Sequence, residues 1–90
     1  MSTTAIGKLE PRRRTTISGE ILSVVSYELP WVRTDVELGD DSGVVLLRFM
    51  GRADVPGLVP GRRIIVEGTP TDRDGVLTIH NPLYEFGTAD

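Results

Sequence analysis

The stretch from Val32 to Gly51, VRTDVELGDDSGVVLLRFMG, restricts the fold more than any other part of the chain. Val32, Thr34, Val36 and Leu38 alternate with Arg33, Asp35 and Glu37. Successive side chains of extended backbone point to opposite faces, so this period of two describes a strand with one buried and one wet side. Asp40-Asp41-Ser42-Gly43 then breaks the pattern. Short polar side chains bond nearby amides and glycine adopts positive φ freely, so these residues predict a tight turn. Beyond it, Val45, Leu47 and Phe49 oppose Val44, Leu46, Arg48 and Met50. The stretch reads as a hairpin whose outer face carries Arg33, Asp35, Glu37 and Arg48 beside three apolar residues.

The remaining chain supplies three more strands. Residues 15–26, TTISGEILSVVS, form a long first strand with Ile17, Gly19 and Ile21 on one face. A glycine inside a strand marks a bend, a bulge or a close backbone approach. A long strand bent there can serve two parts of a barrel. Pro30, in the connection Tyr27–Trp31, cannot donate to a ladder and separates this strand from the hairpin. After the hairpin, Pro56-Gly57 and Pro60-Gly61 exclude an amphipathic helix, leaving Val55, Leu58 and Val59 to plug one end of the barrel. Residues 62–70 make the fourth strand, with Ile64, Val66 and Gly68 sharing a face. Asp74-Gly75 signals a second hairpin, and residues 76–79 form the fifth strand with Leu77 and Ile79 inward. Residues 1–11 lack periodicity and read as a flexible N-terminal arm, residues 12–86 as the domain, and residues 87–90 as a tail. The pattern is all-β: five strands in a small antiparallel barrel, with no helix between the third and fourth.

Ninety residues suffice for one domain. Cysteine is absent, which excludes disulfides and thiolate metal sites. No apolar run approaches the roughly 20 residues of a membrane helix, and the expected location is the cytoplasm. The net charge of −3 argues against a strongly basic binder, but nine of the ten cations are arginine, the residue whose planar fork suits phosphate and stacks on bases. Catalytic patterns are missing: His80 is the sole histidine, and there is no phosphate loop, nucleophile elbow or dinucleotide fingerprint. Asp72-x-Asp74-Gly75 lacks the distal ligands of a calcium loop and reads as a turn. His80 reads as a strand-end residue. The chain is expected to be no enzyme and to need no cofactor or metal.

Three surface features are candidates for contact. Tyr27 and Trp31 lie in the first loop and could stack on bases, or Trp31 could cap the barrel. Arg12-Arg13-Arg14 is either a solvated strand entrance or a phosphate contact. Val44, Leu46 and Met50 offer an apolar stripe of the kind used by partners and dimers.

Taken together, Ile17-Ser18-Gly19-Glu20-Ile21, Leu38 through Asp41, Gly43 before Val45, Val59-Pro60-Gly61, Val66-Glu67-Gly68 and Ile79 through Glu85 follow in an order that resembles OB-fold nucleic-acid-binding domains. The likeness is to the wedge domain of RecG-type helicases, whose closing His-Pro-x-Tyr is similar to Asn81-Pro82-Leu83-Tyr84 here, and to the anticodon-binding type. With Gly51-Arg52 and Pro56-Gly57-Leu58 added, the chain also resembles short stand-alone actinobacterial OB-fold proteins. The resemblance covers residues 12–86 and implies a five-stranded Greek-key barrel with ligand across strands two and three, between the first and fourth loops. On this chain those positions are Arg33, Arg48 and Arg52, flanked by Tyr27 and Trp31 on one side and Arg73 on the other. The implied function is non-catalytic binding of single-stranded DNA or RNA, weakly and with little sequence preference. The alternative is a protein-interaction or homo-oligomerising module using Val44, Leu46 and Met50.

Overall fold

A computed structural model of the chain describes residues 3–87. They contain β1 (Thr15–Tyr27), β2 (Arg33–Asp40), β3 (Gly43–Met50), β4 (Arg63–Gly68), β5 (Pro70–Arg73), β6 (Val76–His80) and β7 (Leu83–Phe86). The seven strands form one sheet in the order β5-β6-β3-β2-β1-β4-β7. Every neighbouring pair is antiparallel except β3 and β6, which run parallel. The fold is all-β, as the alternation predicts, but the expected five antiparallel strands become seven strands in a mixed sheet. The reasons are local. The expected fourth strand is interrupted at Thr69 and pairs with β1 before the break and with β6 after it. The segment after the expected fifth strand adds a further strand, β7, along β4.

Thr69 alone separates β5, at one edge, from β4, next to the other edge. One residue spans less than about 4 Å, so the sheet must curl to bring these two strands together. The long β1 makes the curl possible. Its first half pairs with β4 and its second half with β2, Glu20 facing both Arg63 and Gly39. β1 also carries a bulge, where its register with β2 slips between Ile21 and Ser23.

Two of the strand glycines are demanded by close approach. A Cβ on Gly19 would lie 2.7 Å from the Gly39 carbonyl oxygen and 2.9 Å from Leu38 Cγ. One on Gly68 would lie 2.5 Å from Ile79 Cγ2. The core inside the curl is built from Ile17, Ile21, Val36, Leu38, Val45, Leu47, Ile64, Val66 and Ile79, all buried. Thr34 is buried too, but satisfied: its hydroxyl donates to the Arg52 carbonyl at 2.7 Å and bonds Ser26 Oγ at 2.9 Å. Between β3 and β4 the chain forms turns, and Val55 and Leu58 are buried as plugs while Val59 is exposed. Tyr84 on β7 meets Phe49 edge-on at 5.5 Å between ring centres.

The N-terminal segment differs from a flexible arm. Ile6, only 2% exposed, and Leu9 belong to the core, and Ile6–Lys8 form a 3-10 turn. The hairpin turn holds this segment: the Ile6 amide donates to Asp40 Oδ2 at 2.9 Å and the Gly7 amide to Ser42 Oγ at 2.7 Å. A single turn carrying two isolated apolar residues has no periodicity for a sequence reading to detect. The expected tail lies, beyond Gly87, outside the described residues.

Candidate functional site

The outer face of the hairpin is set by its register. Asp35 pairs with Arg48 and Arg33 with Met50, while Tyr27 on β1 pairs with Arg33. Cross-strand partners project to the same side, and here opposite charges meet. Arg48 donates from Nε to Asp35 Oδ1 at 2.9 Å and from Nη2 to Oδ2 at 3.0 Å. This two-point fork holds the Arg48 charge and raises its already high pKa. Arg33 Nε lies 3.9 Å from Asp35 Oδ2, and it is buried with no hydrogen-bond partner.

Arg33 also shapes the loop before β2. Its guanidinium stacks on Tyr27, 4.2 Å from the ring centre. Nη1 donates to the carbonyls of Leu29 at 3.3 Å and Trp31 at 3.4 Å. The loop is thereby fixed from below while its apolar tips face out. Trp31 is 65% exposed and so does not cap the core.

Loop and sheet enclose a cleft of about 430 Å³, lined by Pro30, Trp31, Arg33, Arg48, Met50, Arg73 and His80. Of the residues expected to bind ligand, Trp31, Arg33, Arg48 and Arg73 therefore converge. Tyr27 supports Arg33 from behind. Arg52 stays exposed in the turn after β3, outside the cleft lining. The apolar stripe divides: Met50 lines the cleft, Leu46 is half-buried, and Val44 is exposed near the hairpin turn. Six residues of strand put Val44 roughly 20 Å from Met50.

Pro30 and His80 are the lining residues that sequence reasoning leaves out. His80 arrives through the parallel pairing, which sets it beside Arg48. Asn81, with φ of 49°, locks that junction: its amide donates to the Arg48 carbonyl at 2.8 Å, and its Oδ1 accepts from the Met50 amide at 2.8 Å. Burial lowers the His80 pKa, and the positive charges of Arg73 and Arg48 lower it further, against a smaller opposing effect of Asp35. The cleft is thus an electropositive place: three guanidinium groups line it, and two of them, Arg33 and Arg48, approach the same carboxylate of Asp35.

The triple arginine lies elsewhere. Arg14 pairs with Glu67 at 3.0 Å, and Arg13 approaches Glu10 at 4.0 Å. A second depression of about 480 Å³, lined by Thr16, Ile65, Glu67, Leu83, Tyr84 and Glu85, carries two carboxylates and no cation. Among the described residues no cluster of three or more potential metal ligands occurs, and no helix is long and apolar enough to cross a membrane.

The chain is similar in structure to RecG bound to a three-way DNA junction, with a TM-score of 0.80 and 21% sequence identity. The match covers 96% of this chain and 13% of that one. The likeness to RecG read from the ordered sequence motifs is therefore present in three dimensions, as a likeness of fold. No protein-family model matches the chain, and no curated protein sequence matches it.

Proposed function

We propose that this chain is a non-catalytic OB-type module that binds single-stranded nucleic acid at the cleft between the Leu29–Trp31 loop and the β2–β3 face. In this reading β4 and β5 act as one bent strand, and β1, β2, β3 and β6 complete a five-stranded barrel to which β7 is added. The observation that carries the proposal is the convergence of Arg33, Arg48, Arg73 and exposed Trp31 on one cleft. Guanidinium groups supply phosphate contacts and an indole supplies a stacking surface, the two elements of sequence-tolerant single-strand binding. Neither contact reads a base edge, so little sequence preference is expected. Affinity is modest because Asp35 already occupies the Arg48 fork. The likeness to a RecG structure that holds DNA is in keeping with this role.

The test is a titration with single-stranded and duplex DNA and with RNA at low salt, repeated as salt is raised, alongside the oligomeric state. Single-strand binding whose affinity falls steeply with salt is the expected result. Absence of binding at the lowest salt would refute the proposal. A dimer in that case would instead favour the apolar residues as an interface.

A further inference from the structure

His80 stands beside Arg48 in the register of β6 and β3 and lines the same cleft as Arg73 and Trp31. No hydrogen bond within the described residues engages its ring. An imidazole aimed into an electropositive cleft, with its nitrogens uncommitted, is available to an incoming group. The charged groups facing it are Arg48 from β3, Arg73 from β5 and Asp35 from β2, with Arg33 farther along the same cleft wall.

We propose that His80 is a ligand-binding residue of this cleft, protonated from solvent as a phosphodiester enters and gripping it together with Arg48 and Arg73. This inference rests on the nucleic-acid reading above. The physical argument is one of linkage. In the free protein, burial and the nearby cations Arg73 and Arg48 disfavour the protonated imidazole. A bound phosphodiester brings a negative charge among those cations and offsets their effect on the ring. The ring then gains a proton, and the imidazolium adds a further charge-assisted hydrogen bond. Binding and proton uptake must favour each other reciprocally.

The experiment is calorimetric titration of the full chain with oligothymidylate at about pH 5.5, 6.5 and 7.5 and constant ionic strength, in buffers of differing ionisation heat. Histidine is the side chain that titrates in this window, and neither the phosphodiester nor thymine changes charge there. The expected result is affinity roughly three- to tenfold higher at the lowest pH, with uptake of up to one proton. His80→Gln should abolish both effects. The heats of the unaltered chain count the protons directly, so the test does not depend on how that variant folds. Binding with no proton uptake, or a pH dependence that survives in His80→Gln, would overturn the inference and leave the nucleic-acid reading standing. Sulfate taking up the same proton with the oligonucleotide's affinity would overturn it in favour of a free-anion pocket. No binding at any pH would overturn both.

Discussion

Asp35 accepts both hydrogen bonds of a fork from Arg48, at 2.9 and 3.0 Å, across the β2–β3 register. The pair is mostly shielded, with the side chains 13% and 26% exposed. The carboxylate therefore restrains one of the three cations that line the cleft. Asp35→Asn should release Arg48 and remove the negative charge from the cleft. Oligonucleotide affinity should rise about three- to tenfold at low salt, and the salt dependence should steepen. Chemical denaturation should show a cost of about 1–2 kcal/mol, between that of an exposed and a buried pair.

Arg48 and Arg33 differ in role although both line the cleft. Arg48→Ala should reduce the slope of log affinity against log salt by about 0.7, the share of one phosphate contact on a single strand. Arg33→Lys keeps the charge but loses the stack on Tyr27 and the two carbonyl contacts. Its salt slope should stay near the original, while the emission of Trp31, the chain's one tryptophan, shifts as the loop loosens.

Trp31→Ala separates binding from stability. An exposed side chain contributes little to the core, so unfolding should change by less than about 0.5 kcal/mol. Loss of a stacked base should weaken binding by about 1–3 kcal/mol. A large loss of stability with unchanged affinity would contradict the placement of Trp31 in the site.

Asp40 makes the fold acid-sensitive. Its pKa is held at about 2, below the ordinary 3.8, first by the Ile6 amide, then by the Ser42 hydroxyl and the amides of Ser42 and Gly43. The unfolded chain binds a proton near pH 3.8, the folded chain only near 2. Across that interval the unfolded state holds more protons, so stability is lost as the pH is lowered. The contribution of Asp40 is complete above about pH 4 and gone below about pH 2. Melting temperatures measured from pH 5 to 2 should decline, and Asp40→Asn should start lower and decline less.

Gly19→Ala would thrust a methyl carbon at the Gly39 carbonyl and at Leu38. Both neighbours belong to the paired hairpin, so neither can yield cheaply. A destabilisation of about 1–3 kcal/mol by urea unfolding is expected.

What the sequence discloses here depends on distance along the chain. The inward sets Thr34-Val36-Leu38, Val45-Leu47-Phe49 and Ile64-Val66 follow from alternation alone and are buried. The Asp40–Gly43 turn follows from its own side chains. The β3–β6 pairing joins residues about thirty positions apart, and no local pattern encodes it, so His80 enters the cleft unannounced. Arg33 and Arg48 are legible as outward cations, but not their common attachment to Asp35, which depends on the register. Ile6 and Leu9 escape notice because two apolar residues in a short turn match neither strand nor helix periodicity.

The anchoring of Ile6 by Asp40 has a practical corollary. Asp40 ends β2 where Arg33 begins it, so the anchor and the cleft are separated by the length of that strand, roughly 23 Å. A fluorophore, an immobilisation handle or a fused domain placed upstream of Ile6 would join the molecule at the pole remote from the arginines of the cleft. Tethered to a sensor surface that way, the protein would hold Trp31 toward the bulk solution.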